Sequence, residues 1–206
     1  MKLVIARWPI TCIAGIAVII INNIFLIISF ALFPTSFNIF ENTASTLGNA
    51  TLNPNGAIFF KLSNIILGIL FFPYFIGLNY WDSEDKTTKT YLNITIILGC
   101  FMGIALIMVG IFSQEYRPYH LISAAIYFIL SFLALIFMGL FLLRQPESIK
   151  PIVSCNFITA LLHFTLIFVL TAHLNIFEWI IIFIVNINLI LQVYNYKYMH
   201  NNKSKS

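Results

Sequence analysis

Residues 110–128 read GIFSQEYRPYHLISAAIYF. Gly110, Ile111 and Phe112 end one long apolar run, and Leu121 begins another. Between them lie Gln114, Glu115, Tyr116, Arg117, Pro118, Tyr119 and His120. So short a polar island between two apolar runs reads as a turn joining antiparallel helices. A backbone that leaves a hydrocarbon layer must satisfy its polar groups there before it re-enters. Turn-making accounts for Gln114, Arg117 and Pro118. It does not require His120, which heads the next helix with Ala124 and Phe128 below it at fourfold spacing.

The rest of the chain repeats this pattern. It has 206 residues, 60% hydrophobic and 9% charged. A soluble domain carries about 25% charged residues, so this chain cannot cover a soluble surface and needs lipid as solvent. Six apolar runs fall near Trp8–Phe33, Ala57–Asn79, Leu92–Phe112, Tyr119–Leu143, Ile152–Ala172 and Ile176–Tyr194. Each is close to the ~20 residues of helix that span a hydrocarbon core. The runs are continuous rather than alternating, which predicts helices and not barrel strands. The expected fold is therefore all-α and integral to the membrane. It is a six-transmembrane-helix bundle with N- and C-termini cytoplasmic and a long first external loop. The bundle takes up 1–197 as one domain, and 198–206 form a short cytoplasmic tail whose HNNKSKS end reads as disordered.

The first run follows Lys2 and Arg7, as a signal peptide would. It is too long for a signal h-region and no small-residue cleavage site follows, so it reads as a retained span. Orientation comes from basic residues, which cytoplasmic loops retain. One side holds Lys2, Arg7, Lys86, Lys89, Arg144, Lys150, Lys197, Lys203 and Lys205, and the other only Lys61 and Arg117. The net charge of +4 is thus a topology signal. It calls for no nucleic-acid partner, and no RNA- or DNA-binding motif is present. Trp8, Trp81 and Trp179 fall at span ends, where indoles favour the headgroup layer.

Within the spans, Gly99 and Gly103 form GxxxG, which lets another helix backbone approach closely. An intra-bundle contact and a dimer face are both open. Asn22, Asn23, Asn64, Asn93, Asn156, Asn186 and Asn188 are expected to face the interior as interhelical glue. Pro73 should end or kink the second helix. Cys12, Cys100 and Cys155 match no zinc or redox spacing and read as apolar filler. The loop from Pro34 to Gly56 carries one charge, Glu41, with the turn signal NPNG and an Asn49-Ala50-Thr51 glycosylation sequon. A semi-apolar loop of this length is expected to fold back as a cap.

Few groups are equipped for chemistry. His163 lies near the middle of the fifth span, where an ionisable side chain is a functional candidate by default. A neutral imidazole bonded to a nearby Asn or Ser is the equally open alternative. Glu178 opens the sixth span and favours the positive helix end. His120, Glu115, Ser45 and His173 are expected on the same side of the membrane. Together His120, Glu178, Glu115, Ser45 and His163 make a candidate polar pocket. No HExxH or paired-cysteine spacing indicates a metal. No nucleophile elbow indicates a hydrolase, no cofactor motif is present, and no inverted repeat points to a transporter.

Three segments in order carry a resemblance. STLGNATLNPNGAIFFKLSNIILGIL resembles the Ser-Asp-Leu-Gly…Phe-Asn…Gly pattern after the first span of the prokaryotic domain-of-unknown-function 998 (DUF998) family. GIFSQEYRPYHLISAAIYF resembles its Gly-x-Phe-Pro…His…Ala…Phe segment, and IFEWIIIF its acidic-aromatic start of the sixth span. That family is similar to the Frag/DRAM/Sfk group of six-span proteins. Ser45, Leu47, Gly48, Gly68, Gly110, His120, Ala124, Phe128 and Glu178 are the matching positions. Thr46 stands where the family has Asp, and Lys61 where it has Asn, which weakens any acid–base or metal role for the loop. The resemblance implies a six-span fold in a prokaryotic cell membrane and no settled activity. The expected function is lipid handling in an outer-leaflet pocket at the ends of spans four and six. The rivals are a scaffold that binds a membrane-protein partner and, behind it, a small-solute transporter.

Overall fold

The computed structural model describes residues 4–5, 8–169 and 175–203, with side chains over 8–165 and 175–203. Strands β1 (Val4–Ile5) and β2 (Trp8–Pro9) pair antiparallel. The helices that follow are α1 (Ile10–Ala31), α2 (Ala57–Ile76), α3 (Lys86–Ile111), α4 (Arg117–Leu143), α5 (Lys150–Val169) and α6 (Ile176–Lys203). Five of them, α1, α2, α3, α4 and α6, are long and apolar enough to cross a membrane, and α5 is described only as far as Val169. The chain is a multi-pass membrane protein.

Local chemistry sets the boundaries. Asp85 caps α3: its Oδ2 accepts from the Thr88 amide at 2.8 Å and from Thr88 Oγ1 at 2.6 Å, which satisfies a donor the first turn leaves open. Pro118 sits in the first turn of α4, where its missing N–H is no loss. After Pro73, α2 continues only to Ile76 and tightens into a 3-10 turn over Gly77–Trp81.

Each helix packs on the next in sequence, and α6 returns to α1. The bundle is therefore a closed ring of six helices. At interaxial distances of about 8–10 Å, each axis of such a ring stands about that far from the centre. A helix with its side chains is about 5–6 Å in radius, so the middle is filled only by large side chains. At the end carrying β2 and the close of α6 (the terminal end) they fill it. Trp81, Tyr196, Tyr74, Phe141 and Met199 are buried there, with the rings of Trp81 and Tyr196 5.0 Å apart. At the opposite end (the loop end) the space stays partly open.

The α2–α3 seam is made by glycines. A Cβ on Gly103 would stand 2.7 Å from the Gly68 carbonyl oxygen, and one on Gly110 would stand 2.7 Å from that of Lys61. Gly99 lies against the Phe75 ring. The GxxxG pair thus makes a contact inside the bundle.

Three expectations need correction. Trp81 is not a headgroup anchor: it is 2% exposed, because the 3-10 turn after Pro73 folds it back under α6. The last helix does not stop where its apolar run ends, and the tail is not disordered from His200. It runs to Lys203 because Tyr196 and Met199 still have the aromatic plug to pack on, and His200 Nδ1 meets the Tyr80 hydroxyl at 3.0 Å. Asn93 is exposed near the start of α3, at the level of the flanking charges, so it is not interhelical glue. Asn23 is, since it donates to Asn186 Oδ1 across α1 and α6 at 2.9 Å.

Candidate functional site

The open part of the ring is a cavity of about 210 Å³. Its walls are mostly apolar, among them Val18, Leu67, Phe71, Leu106, Val185 and Leu189. Glu178 and Gln192 on α6 both line it. They are fourteen positions apart, so at 1.5 Å per residue the cavity runs about 21 Å along the bundle. It is long and narrow.

The loop between α1 and α2 caps it. Residues Ala44–Gly48 form a 3-10 turn that buries Ala44, Thr46, Leu47 and Gly48. Asn53, fully buried, holds this turn in place. Its Nδ2 donates to the carbonyls of Leu47 at 2.9 Å and Ser29 at 3.1 Å, and its Oδ1 accepts from the Gly56 amide at 3.1 Å. Two seams tie the loop to the bundle. Along α6, Glu178 Oε2 accepts from the Ser45 amide at 3.1 Å, Trp179 Nε1 donates to the Asn42 carbonyl at 3.0 Å, and Asn175 Nδ2 donates to that of Glu41 at 2.7 Å. Along the α3–α4 turn, Gln114 Nε2 donates to Thr43 Oγ1 and Thr46 Oγ1, each at 3.3 Å.

Four of the five candidate pocket residues, Ser45, His120, His163 and Glu178, line this one cavity. Glu115 does not. It is half-buried on the outside of the turn, paired with Lys61 at 2.6 Å and accepting from the Ala50 amide at 3.3 Å. The Lys61 ammonium holds it there. His173 lies outside the described residues.

Both histidines are held the same way. His120 Nδ1 lies 2.9 Å from the Phe112 carbonyl, and His163 Nδ1 lies 2.8 Å from that of Thr159. A carbonyl only accepts, so each Nδ1 carries the proton and donates it. In the neutral ring Nε2 is then an acceptor. Deeper in the cavity, Ser131 Oγ and Gln192 Oε1 are buried with no hydrogen-bond partner among the described residues.

Neither Ser131 nor Gln192 stands out in the sequence alone. The available signal was helical spacing: His120, Ala124, Tyr127, Ser131 and Met138 form one stripe of α4, and Glu178, Ile181, Val185, Asn188 and Gln192 one stripe of α6. Extending a stripe from each loop-end residue would have found them. Among the described residues no three His, Cys, Asp or Glu side chains gather as a metal site.

The sequence model of the family described as "Protein of unknown function (DUF998)" matches residues 11–193. No curated protein and no solved structure matches the chain. The match runs from the start of α1 through Gln192 at the deep end of the cavity, and so the chain belongs to the DUF998 family.

Proposed function

We propose that this membrane protein holds a lipid chain in the central cavity, with its polar end at Ser45, His120 and Glu178. The observation that carries the reading is the cavity's form. It is about 210 Å³, narrow, apolar along most of its length and provided with polar side chains at the capped end. Binding sites of this kind are apolar hollows with a few convergent polar groups.

Orientation follows from charge. Among the described residues the terminal end carries Lys86, Lys89, Arg144, Lys150, Lys197 and Lys203 and the loop end only Lys61 and Arg117, so we place the terminal end at the cytoplasm and the capping loop at the exterior. With α5 as a sixth crossing, both termini share that cytoplasmic side. The capped end of the cavity then lies in the outer leaflet of a prokaryotic cell membrane.

The test is lipid retention. Native mass spectrometry of the purified protein should show a bound lipid. Ala124→Phe, which places a ring in the cavity, should abolish it while helicity and elution volume stay unchanged. His120→Ala and Glu178→Ala should weaken it. Equal lipid on wild type and a folded Ala124→Phe variant would overturn the proposal.

A further inference from the structure

We infer that the cavity selects a neutral, hydroxyl-bearing, single-chain lipid, of monoacylglycerol or long-chain alcohol chemistry, and rejects anionic lipids. This rests on the lipid reading above and adds the class of ligand.

Charge and hydrogen-bonding capacity along the wall decide which headgroup fits. No Lys or Arg lines the cavity at any depth. The nearest loop-end cation in the fold's α2, Lys61, is engaged by Glu115 at 2.6 Å. A phosphate or carboxylate therefore finds no cation inside. It would be an unpaired charge itself, in a setting where such a charge is costly.

The remaining capacity is weighted toward acceptance. With Nδ1 of His120 and His163 donating to carbonyls, the neutral rings present Nε2 as acceptors. Gln192 Oε1 has no partner, while its amide nitrogen already donates to the Ile152 carbonyl at 3.5 Å and to Asn188 Oδ1 at 3.3 Å. Glu178 Oε2 accepts from the Ser45 amide. Ser131 can act either way. These groups are spread from the loop end to the deep end, so a hydroxyl finds an acceptor at several depths, whereas an anion finds a cation at none. Size completes the assignment. About 210 Å³ is below the roughly 300–1,000 Å³ of drug-sized sites, and a narrow space about 21 Å long suits one chain and not two.

The experiment uses the full-length protein in neutral-lipid nanodiscs. A fluorescent single-chain lipid is competed at neutral pH by monoacylglycerol, long-chain alcohol, fatty acid and lysophosphatidate of one chain length. Monoacylglycerol and alcohol should compete at least about tenfold better than either anion, the factor expected from one matched hydrogen bond. The double variant Ser131→Ala with Gln192→Leu should still bind but lose most of that preference. A purely structural role would weaken all four competitors alike. Equal or tighter binding of an anion overturns the inference. If all four bind equally and Ala124→Phe abolishes binding, the lipid reading stands and the selectivity falls. If none competes, both fall.

Discussion

Asn53→Ala is the sharpest test of the capping loop. Asn53 is 0% exposed and ties the Leu47 and Ser29 carbonyls and the Gly56 amide to one side chain. A neutral hydrogen bond contributes a net ~1 kcal/mol, and a buried group left unpartnered costs at least that. Three bonds therefore amount to about 3 kcal/mol. At 1.4 kcal/mol per tenfold, the open population of the loop should rise roughly a hundredfold. Hydrogen–deuterium exchange reads this directly, since exchange of these amides goes through local opening. The amides to follow are Thr46 and Asn49, bonded to the carbonyls of Thr43 and Thr46, because neither touches Asn53 itself. Asn49→Ala is the control. Its side chain serves the exposed amides of Thr51 and Leu52 and reaches Gln114 Oε1 only at 3.5 Å, so the turn at 44–48 should exchange far closer to the wild-type rate than in Asn53→Ala. An Asn53→Ala protein whose Thr46 and Asn49 amides exchange within about fivefold of wild type would refute the idea that this side chain holds the cap, since that is under about 1 kcal/mol.

Three further outcomes follow from the same structure. Gly103→Leu should destabilise the α2–α3 seam by about 1–3 kcal/mol, read from unfolding in detergent, because even its Cβ would meet the Gly68 carbonyl at 2.7 Å; the same change at the exposed Ile104 should be near neutral. A double-mutant cycle on Lys61 and Glu115, paired at 2.6 Å with both side chains 21% exposed, should return a coupling of up to about 1 kcal/mol, and a value of zero would show that the pair does not hold the turn to α2. The Asp85 carboxyl is held below its usual range by its hydrogen bonds to Thr88. A depressed folded-state pKa gives stability that is present above the unfolded value of about 3.9 and lost as pH falls through the folded one. Amides in the first turn of α3 should accordingly exchange faster in acid than at neutral pH, after correction for intrinsic rates. Asp85→Asn, still a good cap, should abolish that pH response, and its persistence would point to another group.

How far the site was legible depended on the kind of contact. His120 stood out because a turn does not need it, and Glu178 because the resemblance placed it. Both belong to a recognisable local pattern. Glu115 was indistinguishable from them in sequence, being acidic, at the same membrane level and only five positions from His120. What separates it is Lys61, fifty-four positions away on α2, and no periodicity reports a pairing that distant. Ser131 and Gln192 were missed for the opposite reason. Serine and glutamine inside spans are common interhelical links, and only the packing shows that Ser131 Oγ and Gln192 Oε1 have no hydrogen-bond partner among the described residues.

The amino-acid sequence by itself determined the solvent, the helices and their approximate ends. Those follow from composition and from the length of apolar runs against the thickness of a bilayer, which are properties of each segment taken alone. The tertiary structure decided what the segments enclose. Closing α6 onto α1 turns six helices into a ring with a centre too wide to fill everywhere. Trp81 and Tyr196 plug one end of it, and the 32–56 loop, held by Asn53 and Glu178, caps the other. A cavity is a joint property of residues far apart in sequence, set by where the helix axes stand, and so it is written in the packing and not in any one run of the chain.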